Sequence, residues 1–135
     1  MRLTVDLTLP NDVRLIGRTR RVLSDYLEAL GADDDAVADV VLALDEACTN
    51  VVRHALPDPD DSFRVQARLS DDEVVVVVED DGVGLPPDAG TGVVAPYATS
   101  GRGLQIIREV MTDVAVETVP FRQGTRVEMR RSLRG

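Results

Sequence analysis

The chain contains no lysine and no tryptophan, and it has a single cysteine and a single histidine. All fifteen basic residues are therefore arginines. A Walker-A phosphate loop, a eukaryotic-type protein kinase site and a Schiff-base enzyme each need a lysine, so all three are excluded. The lone Cys48 excludes a disulfide framework and a cysteine metal cluster, and the lone His54 excludes a two-histidine zinc site. Any nucleotide must therefore be bound by a motif that contains no lysine.

Aromatic residues and long hydrophobic runs are also scarce. Phe, Tyr and Trp make up 3% of the 135 residues, whereas 44% are hydrophobic, so the core must consist of Val, Leu, Ile and Ala. No apolar window is long enough for a membrane-spanning helix, and the N-terminal residues alternate like a strand rather than a signal peptide. A net charge of −9 argues against a nucleic-acid-binding surface. We expect one cytoplasmic domain over residues 1–135, without membrane or direct nucleic-acid contact.

Hydrophobic periodicity predicts an α+β chain with a long loop between its two parts. Strands are expected over residues 2–9, 62–69, 73–79, 113–119 and 125–131, and helices over about 10–30, 34–55 and 103–111. The unbroken apolar run Val74 to Val78 is typical of a central strand covered on both faces. Residues 85–100 lack periodicity and are expected to form a functional lid. The order predicts a two-layer sandwich, a mixed and mostly antiparallel sheet with helices on one face.

The second predicted helix carries a polar stripe beside its apolar arc. Successive helical residues rotate by about 100°, which places Cys48 within the apolar arc and predicts that it lies in the core. The polar residues at or beside the edge of this arc are Glu46, Asn50, Arg53 and His54. The stripe is either a solvated helix edge or a functional site. In a site, the Glu46 carboxylate deprotonates or orients a nucleophile, and the Asn50 amide oxygen binds Mg²⁺.

Two glycine clusters lie next to predicted elements. Residues 80–84, Asp-Asp-Gly-Val-Gly, directly follow the buried strand, where Asp80 is placed to accept a hydrogen bond from the exocyclic amine of a base. Residues 100–104, Ser-Gly-Arg-Gly-Leu, directly precede a helix, whose exposed N–H groups favour phosphate. Taken singly, the first cluster also fits a tight turn and the second a flexible hinge. Their order along the chain favours a nucleotide site.

These blocks resemble the motifs of the ATPase superfamily that contains gyrase, the Hsp90 chaperones, histidine kinases and MutL, whose fold is called the Bergerat fold. Residues 46–55 look like its N box, 80–84 like its G1 box, 101–104 like its G2 box, and 124–127 like its late Gly-Thr strand element. Within the superfamily the chain is most similar to the bacterial anti-sigma factor serine/threonine kinases, because the N box reads Glu-Ala-x-x-Asn-x-x-x-His-Ala within one short domain.

The resemblance implies a site for ATP and Mg²⁺. Glu46 would be the general base near the γ-phosphate, Asn50 would ligate Mg²⁺, and Asp80 would bind the adenine amine with Thr125 close by. Four glycines would line the nucleotide, with Gly82 and Gly84 at the adenine and Gly101 and Gly103 at the phosphates. The other block residues expected around the nucleotide are Arg53, His54, Arg102 and Leu104.

The resemblance also implies an activity and partners. Such a kinase sequesters a sigma factor, phosphorylates a serine of an anti-anti-sigma antagonist of the STAS type, and tends to form homodimers. Better-known members carry a Glu-Arg pair just before the Ser-Gly-x-Gly of the lid, where this chain has Ala98 and Thr99. Two alternatives therefore stay open: an ATP-binding regulator without kinase activity, and the detached catalytic domain of a histidine kinase. The exposed face of the first helix, with Arg14, Arg18 and Arg21, is a candidate partner surface.

Overall fold

The described part of the computed structural model comprises residues 2–55, 61–80, 103–118 and 124–134. It contains strands β1 (Leu3–Pro10), β2 (Ser62–Leu69), β3 (Glu73–Asp80), β4 (Asp113–Thr118) and β5 (Thr125–Ser132), and helices α1 (Arg14–Ala29), α2 (Asp34–Asn50) and α3 (Gly103–Val110). The predicted order of elements is confirmed, and most boundaries agree within one or two residues. None of the described helices is long and apolar enough to cross a membrane.

The five strands form one sheet in the order β1-β2-β3-β5-β4. The register places Val65 opposite Val78 and places Val78 opposite Val127, so apolar residues of three neighbouring strands form one row. Every pairing between the described strands is antiparallel, rather than mixed as the sequence suggested. The two-layer α+β arrangement is confirmed.

The helices lie on one face of the sheet and bury the core between the layers. β2 alternates in burial along its length, with Phe63, Val65, Ala67 and Leu69 facing the helices. α2 lies between the other two helices and contacts both. Its buried residues are mostly alanine and valine, small side chains that allow close approach to the sheet. Cys48 is fully buried there, as predicted.

The expectation that β3 is a central strand covered on both faces is confirmed, since it lies between β2 and β5 and Val74 to Val78 are all buried. Among the described residues, the cover on the outer face comes from side chains of the neighbouring strands and not from a helix. Val75 and Val77 point outward, yet each is only 5% exposed. Their cross-strand neighbours are long polar side chains, among them Arg68 and Arg130 beside Val75 and Glu128 beside Val77. Aliphatic stems of such residues cover apolar surface while their charged ends stay in water.

The second helix departs from the prediction near its end. The α-helix stops at Asn50, and Val51–Ala55 continue it as one π-helical turn. The backbone N–H of Val51 is shared between the carbonyl oxygens of Ala47 and Cys48, which is where the wider turn begins. A π-turn changes the rotation per residue, so positions beyond Asn50 no longer follow the 100° spacing used to place Arg53 and His54. Such turns occur frequently at functional sites.

Candidate functional site

Asn50 is a buried polar residue at the end of α2. It is 5% exposed, and among the described residues its amide nitrogen Nδ2 has no hydrogen-bond partner. A buried donor left unsatisfied costs about 1–3 kcal/mol, so a group of this kind needs a reason outside stability. A bound ligand that pairs with the amide supplies such a reason.

Gly103 lies directly against this amide. A Cβ atom added at Gly103 would lie 2.5 Å from Nδ2 of Asn50 and 3.2 Å from its Cγ and Oδ1. Only glycine therefore fits the first position of α3 while Asn50 keeps its place. The structure thus brings together two motifs that are 53 positions apart in the chain, the N box on α2 and the G2 box at the start of α3.

Glu46 lies one helical turn before Asn50 and is half-buried. Residues four apart on an α-helix lie on the same side, so Glu46 and Asn50 face the start of α3 together. Arg53 is exposed within the π-turn, where its guanidinium is open to solvent. Leu104, the second residue of α3, is half-buried and packs against the core.

Asp80 and Thr125 lie at the ends of two neighbouring strands, Asp80 as the last residue of β3 and Thr125 as the first of β5. They are paired across β3 and β5, and each is only 2% exposed. Asp80 is the last residue of β3, so its carboxylate is held at a strand end on the inner face of the sheet, the face to which α2 also belongs. A carboxylate in this position accepts hydrogen bonds and does not donate them, which suits an amine of a ligand.

Several predicted site residues lie outside the described part of the chain. They are Gly82, Gly84, Gly101, Arg102, the side chain of His54, and the whole lid segment 85–100. Their expected roles remain predictions.

A groove formed by described residues lies elsewhere. Its volume is about 490 Å³, and it opens on the outer face of the sheet beside Arg2, Arg68 and Arg130. Arg68 and Arg130 there lie within 3.8 Å of Glu128 and Glu73, so the groove is a gap between weak surface ion pairs. We place the candidate site at Asn50 instead, because its buried Nδ2 has no hydrogen-bond partner within the described ranges and Gly103 is required by contact at the same point.

The residues present fit an adenine nucleotide with Mg²⁺. Asn50 offers an amide oxygen suited to Mg²⁺ and an Nδ2 donor suited to a phosphate oxygen, Gly103 lets the start of α3 approach this amide closely, and Asp80 offers a buried acceptor. Mg²⁺ keeps several waters and is usually held by one or two protein oxygens together with substrate phosphates, so a single protein ligand suffices. Glu46 is the nearby carboxylate suited to proton transfer.

Cys48 takes no part in this site. Its side chain is fully buried on the apolar arc of α2, and burial raises the pKa of the thiol to about 12, with a further contribution from the charge of Asp45. A thiol that stays protonated to that pH is a poor nucleophile.

Sequence reasoning missed one polar contact of α2. Asp39, two turns before Glu46, forms an ion pair with Arg131 near the end of β5. The alternation of β5 contains the signal, because Arg131 shares the inward-facing set with Thr125, Val127 and Met129 and is the charged member of it.

Comparison with known proteins places the chain in a family. The model of the histidine kinase-like ATPase domain matches residues 9–131, and the chain belongs to this family. Among curated relatives, serine-protein kinase RsbW of Bacillus velezensis is 28% identical, and the match covers 97% of this chain and 86% of the relative. The anti-sigma F factor of Clostridium novyi is 26% identical over 85% of this chain and 84% of the relative. The predicted resemblance to anti-sigma factor kinases is confirmed.

A solved structure supports the fold. The RsbU and RsbW domains of a Mycobacterium tuberculosis protein match with a TM-score of 0.71 at 22% identity. The match covers 96% of this chain and 32% of that chain, so this chain corresponds to about a third of it.

Proposed function

We propose that this chain is an ATP-dependent protein serine kinase that also holds a sigma factor and releases it in response to a phosphorylatable antagonist. The observation that carries this proposal is the contact between Asn50 and Gly103, which joins a buried amide, whose Nδ2 has no partner in the described part of the chain, to the start of a helix. The names of the relatives, a serine-protein kinase and an anti-sigma factor, favour the same activity.

The proposal gives each residue of the site a distinct task. In the proposed reaction, Asn50 holds Mg²⁺ and Asp80 holds the adenine amine, which aligns the phosphates along the start of α3. Glu46 accepts the proton of the attacking serine hydroxyl. Phosphoryl transfer depends mainly on positioning and charge stabilisation, so these few residues suffice for a slow regulatory kinase.

A second candidate function is nucleotide-dependent partner capture without phosphotransfer. It is favoured by Ala98 and Thr99, which stand where better-known relatives of this type carry a Glu-Arg pair. A cation near the γ-phosphate then has to come from Arg53, which is exposed in the π-turn, or from Arg102. The two functions share the nucleotide site and differ only in turnover.

The partner surface that we propose is the exposed face of α1. Arg14, Arg18 and Arg21 are exposed along it, and Arg14 forms a hydrogen-bonded ion pair with Asp12 at 2.8 Å. The first turn of α1 contains no acidic residue and the last turn no basic one. Arg14 in the first turn is opposite to what the helix dipole favours, by about 0.3–1 kcal/mol, and the exposed arginines suit an acidic partner.

The test is a radiolabelled-ATP assay with the candidate antagonist and sigma factor. The proposal expects acid-stable phosphoserine on the antagonist and a sigma-factor affinity that differs by about 5- to 150-fold between ATP, ADP and no nucleotide. Acid-labile phosphohistidine would instead identify a detached histidine-kinase domain. Nucleotide binding with a partner switch but no transfer would leave the second candidate, and equal affinities in all three states would exclude an anti-sigma switch.

A further inference from the structure

The ion pair between Asp39 and Arg131 connects the helical layer to the sheet. Nη2 of Arg131 donates to Oδ2 of Asp39 at 2.9 Å, and Nε donates to the same oxygen at 3.3 Å. A third donor, Nη1 of Arg131, bonds the backbone carbonyl of Ser132 at 2.6 Å. The side chain of Arg131 is 11% exposed, far less than the arginines of the other ion pairs described, which are 31% exposed or more.

The pair is a costly way to stabilise this interface. It occupies the inner face of β5, next to Met129 and Leu133, which are fully buried. Arg131 loses most of its hydration in the pair, whereas the side chain of Asp39 stays 32% exposed, and replacing a pair with a buried charge by apolar residues of similar volume is often neutral or stabilising. What a charged pair adds is a preferred orientation of the two elements that it connects. Fixing the register of packed helices is the best-attested role of such pairs.

The rotation of α2 about its own axis is only weakly fixed by its apolar contacts. The helix buries four small residues, Ala36, Val40, Ala43 and Ala47, beside one large apolar one, Leu44. Small side chains form shallow ridges, which oppose a small rotation of the helix less than large ones do. A rotation of about 20° moves a side chain about 2 Å at the helix surface, whose radius is about 5–6 Å. A displacement of 1 Å can cost about 10²-fold in rate at a catalytic centre.

Asp39 lies on the same stripe of α2 as the site residues. Glu46 is seven residues further on and Asn50 eleven, which corresponds to rotations of about −20° and +20° relative to Asp39. Along the axis they are about 10 Å and 16 Å away. Any rotation of α2 that breaks the pair therefore turns Glu46 and Asn50 by the same angle, away from Gly103.

We propose that Asp39 and Arg131 are positioning residues that fix the rotation of α2, so that Glu46 and Asn50 face the start of α3. This inference rests on the proposed nucleotide site, whose geometry the pair sets from the opposite end of the sheet. Backbone contacts anchor the same end, since the N–H of Asp33 donates to the carbonyl of Leu133 at 2.9 Å just before α2 begins.

The decisive variant replaces the pair by apolar residues, Asp39→Leu with Arg131→Met. This variant removes the oriented ion pair and keeps side chains of similar size. The proposal therefore expects an unchanged or higher melting temperature together with at least 10-fold weaker Mg²⁺–ATP binding in calorimetry. Asp39→Glu, which keeps the charge, is expected to bind nearly as well as the wild type. The matched control is Asp6→Leu with Arg64→Met, which removes a 2.5 Å ion pair between β1 and β2. It is expected to leave nucleotide affinity unchanged.

Cys48 provides a second readout that needs no nucleotide. It is the single cysteine of the chain, lies on α2 between the pair and Asn50, and is fully buried. Modification by an aromatic disulfide reagent under native conditions therefore reports how firmly α2 is held. The proposal expects faster modification in the Asp39/Arg131 double variant than its global unfolding free energy accounts for, and no such excess in the Asp6/Arg64 control.

The outcomes separate the two proposals. If the wild type binds no nucleotide, the proposed function fails, and the Cys48 rates alone decide whether the pair holds α2. If the wild type binds and the double variant matches it in affinity or in Cys48 protection, the positioning role is wrong and the proposed function stands. Should the double variant not fold, Asp39→Asn, which keeps the shape and removes the charge, takes its place with the same expectations for nucleotide affinity and Cys48 modification. Its melting temperature is expected to fall, because Arg131 loses its ion-pair partner.

Discussion

The two ends of the α2–β5 interface differ in whether their polar side chains are paired. At the end near the start of α3, Asn50 is buried with an unpaired amide nitrogen among the described residues, and Gly103 tolerates no side chain. At the other end, Asp39 is paired with Arg131, and the guanidinium of Arg134 bonds the carbonyl oxygens of Leu30 and Gly31. The polar groups of the second end are paired within the described residues, whereas the amide of the first end is left partly unsatisfied there. The contrast indicates that the first end is shaped for a ligand.

The largest expected effect comes from Glu46→Gln. Removing a general base lowers turnover by about 10²–10⁴-fold, whereas the isosteric amide leaves nucleotide affinity within a few-fold of the wild type. Single-turnover phosphotransfer and calorimetric binding measure the two quantities separately. Glu109→Gln, an exposed glutamate on α3, is the control and is expected to change neither. Normal turnover in Glu46→Gln would remove Glu46 from the mechanism.

Gly103→Ala tests the contact that joins the two motifs. The new Cβ would lie 2.5 Å from Nδ2 of Asn50, and because Asn50 is 95% buried it cannot swing aside freely. We expect nucleotide affinity to fall by about 10-fold or more, with a stability loss of about 1–3 kcal/mol from overpacking. Gly17→Ala is the matched control, since its Cβ would meet nothing closer than 3.8 Å and helix propensity alone predicts a gain of about 1 kcal/mol. If Gly103→Ala and Gly17→Ala had the same nucleotide affinity and stability, the contact between Gly103 and Asn50 would have no role in binding.

The buried thiol of Cys48, which lies between the two ends, makes the free energy of unfolding depend on pH. Its pKa is raised from 9.0 to about 12 in the folded chain, so between these values the folded state holds a proton that the unfolded state has lost. Stability is therefore fully present below about pH 9 and falls as pH rises towards 12, by up to about 1.4 kcal/mol per pH unit. Cys48→Ala is expected to flatten this slope in denaturant titrations. An identical slope in the variant would show that the thiol stays accessible to water.

The smallest effect is expected for Arg134→Ala at the paired end. Its hydrogen bonds to the last carbonyls of α1 and the favourable dipole interaction contribute about 0.3–1 kcal/mol. The melting temperature is expected to drop slightly while Mg²⁺–ATP affinity stays unchanged. A loss of affinity comparable to that of Gly103→Ala would mean that the two ends are coupled more broadly than through Asp39 and Arg131.

Much of the fold could be predicted because local rules and tertiary structure agree. The alternation in β2 and the apolar arc of α2 each gave the element and the buried face correctly. The side chains that cover the outer faces of Val75 and Val77 could not be predicted, because they are long polar residues of the neighbouring strands. The π-turn after Asn50 and the pair between Asp39 and Arg131 depend on contacts between residues that the periodicity treats separately.

The site was predictable in composition more than in geometry. Motif order named Asn50, Asp80 and Gly103, and the structure places Asn50 against Gly103 and Asp80 opposite Thr125. The closeness of Asn50 to Gly103 could not be read from spacing, because it requires α3 to pack on α2 across the chain. The roles assigned to the glycines of residues 80–84 and to Gly101 remain predictions.

The most direct test of the central claim is a calorimetric titration of the chain with ATP and with GTP in the presence of Mg²⁺, repeated with Asp80→Ala. The account predicts one ATP site, weaker GTP binding by about 5- to 150-fold, and loss of this preference in the variant. The reason is that a buried carboxylate facing the guanine carbonyl is left unpaired, at a cost of about 1–3 kcal/mol. Equal affinities for the two nucleotides, or ATP binding that Asp80→Ala leaves unchanged, would contradict it.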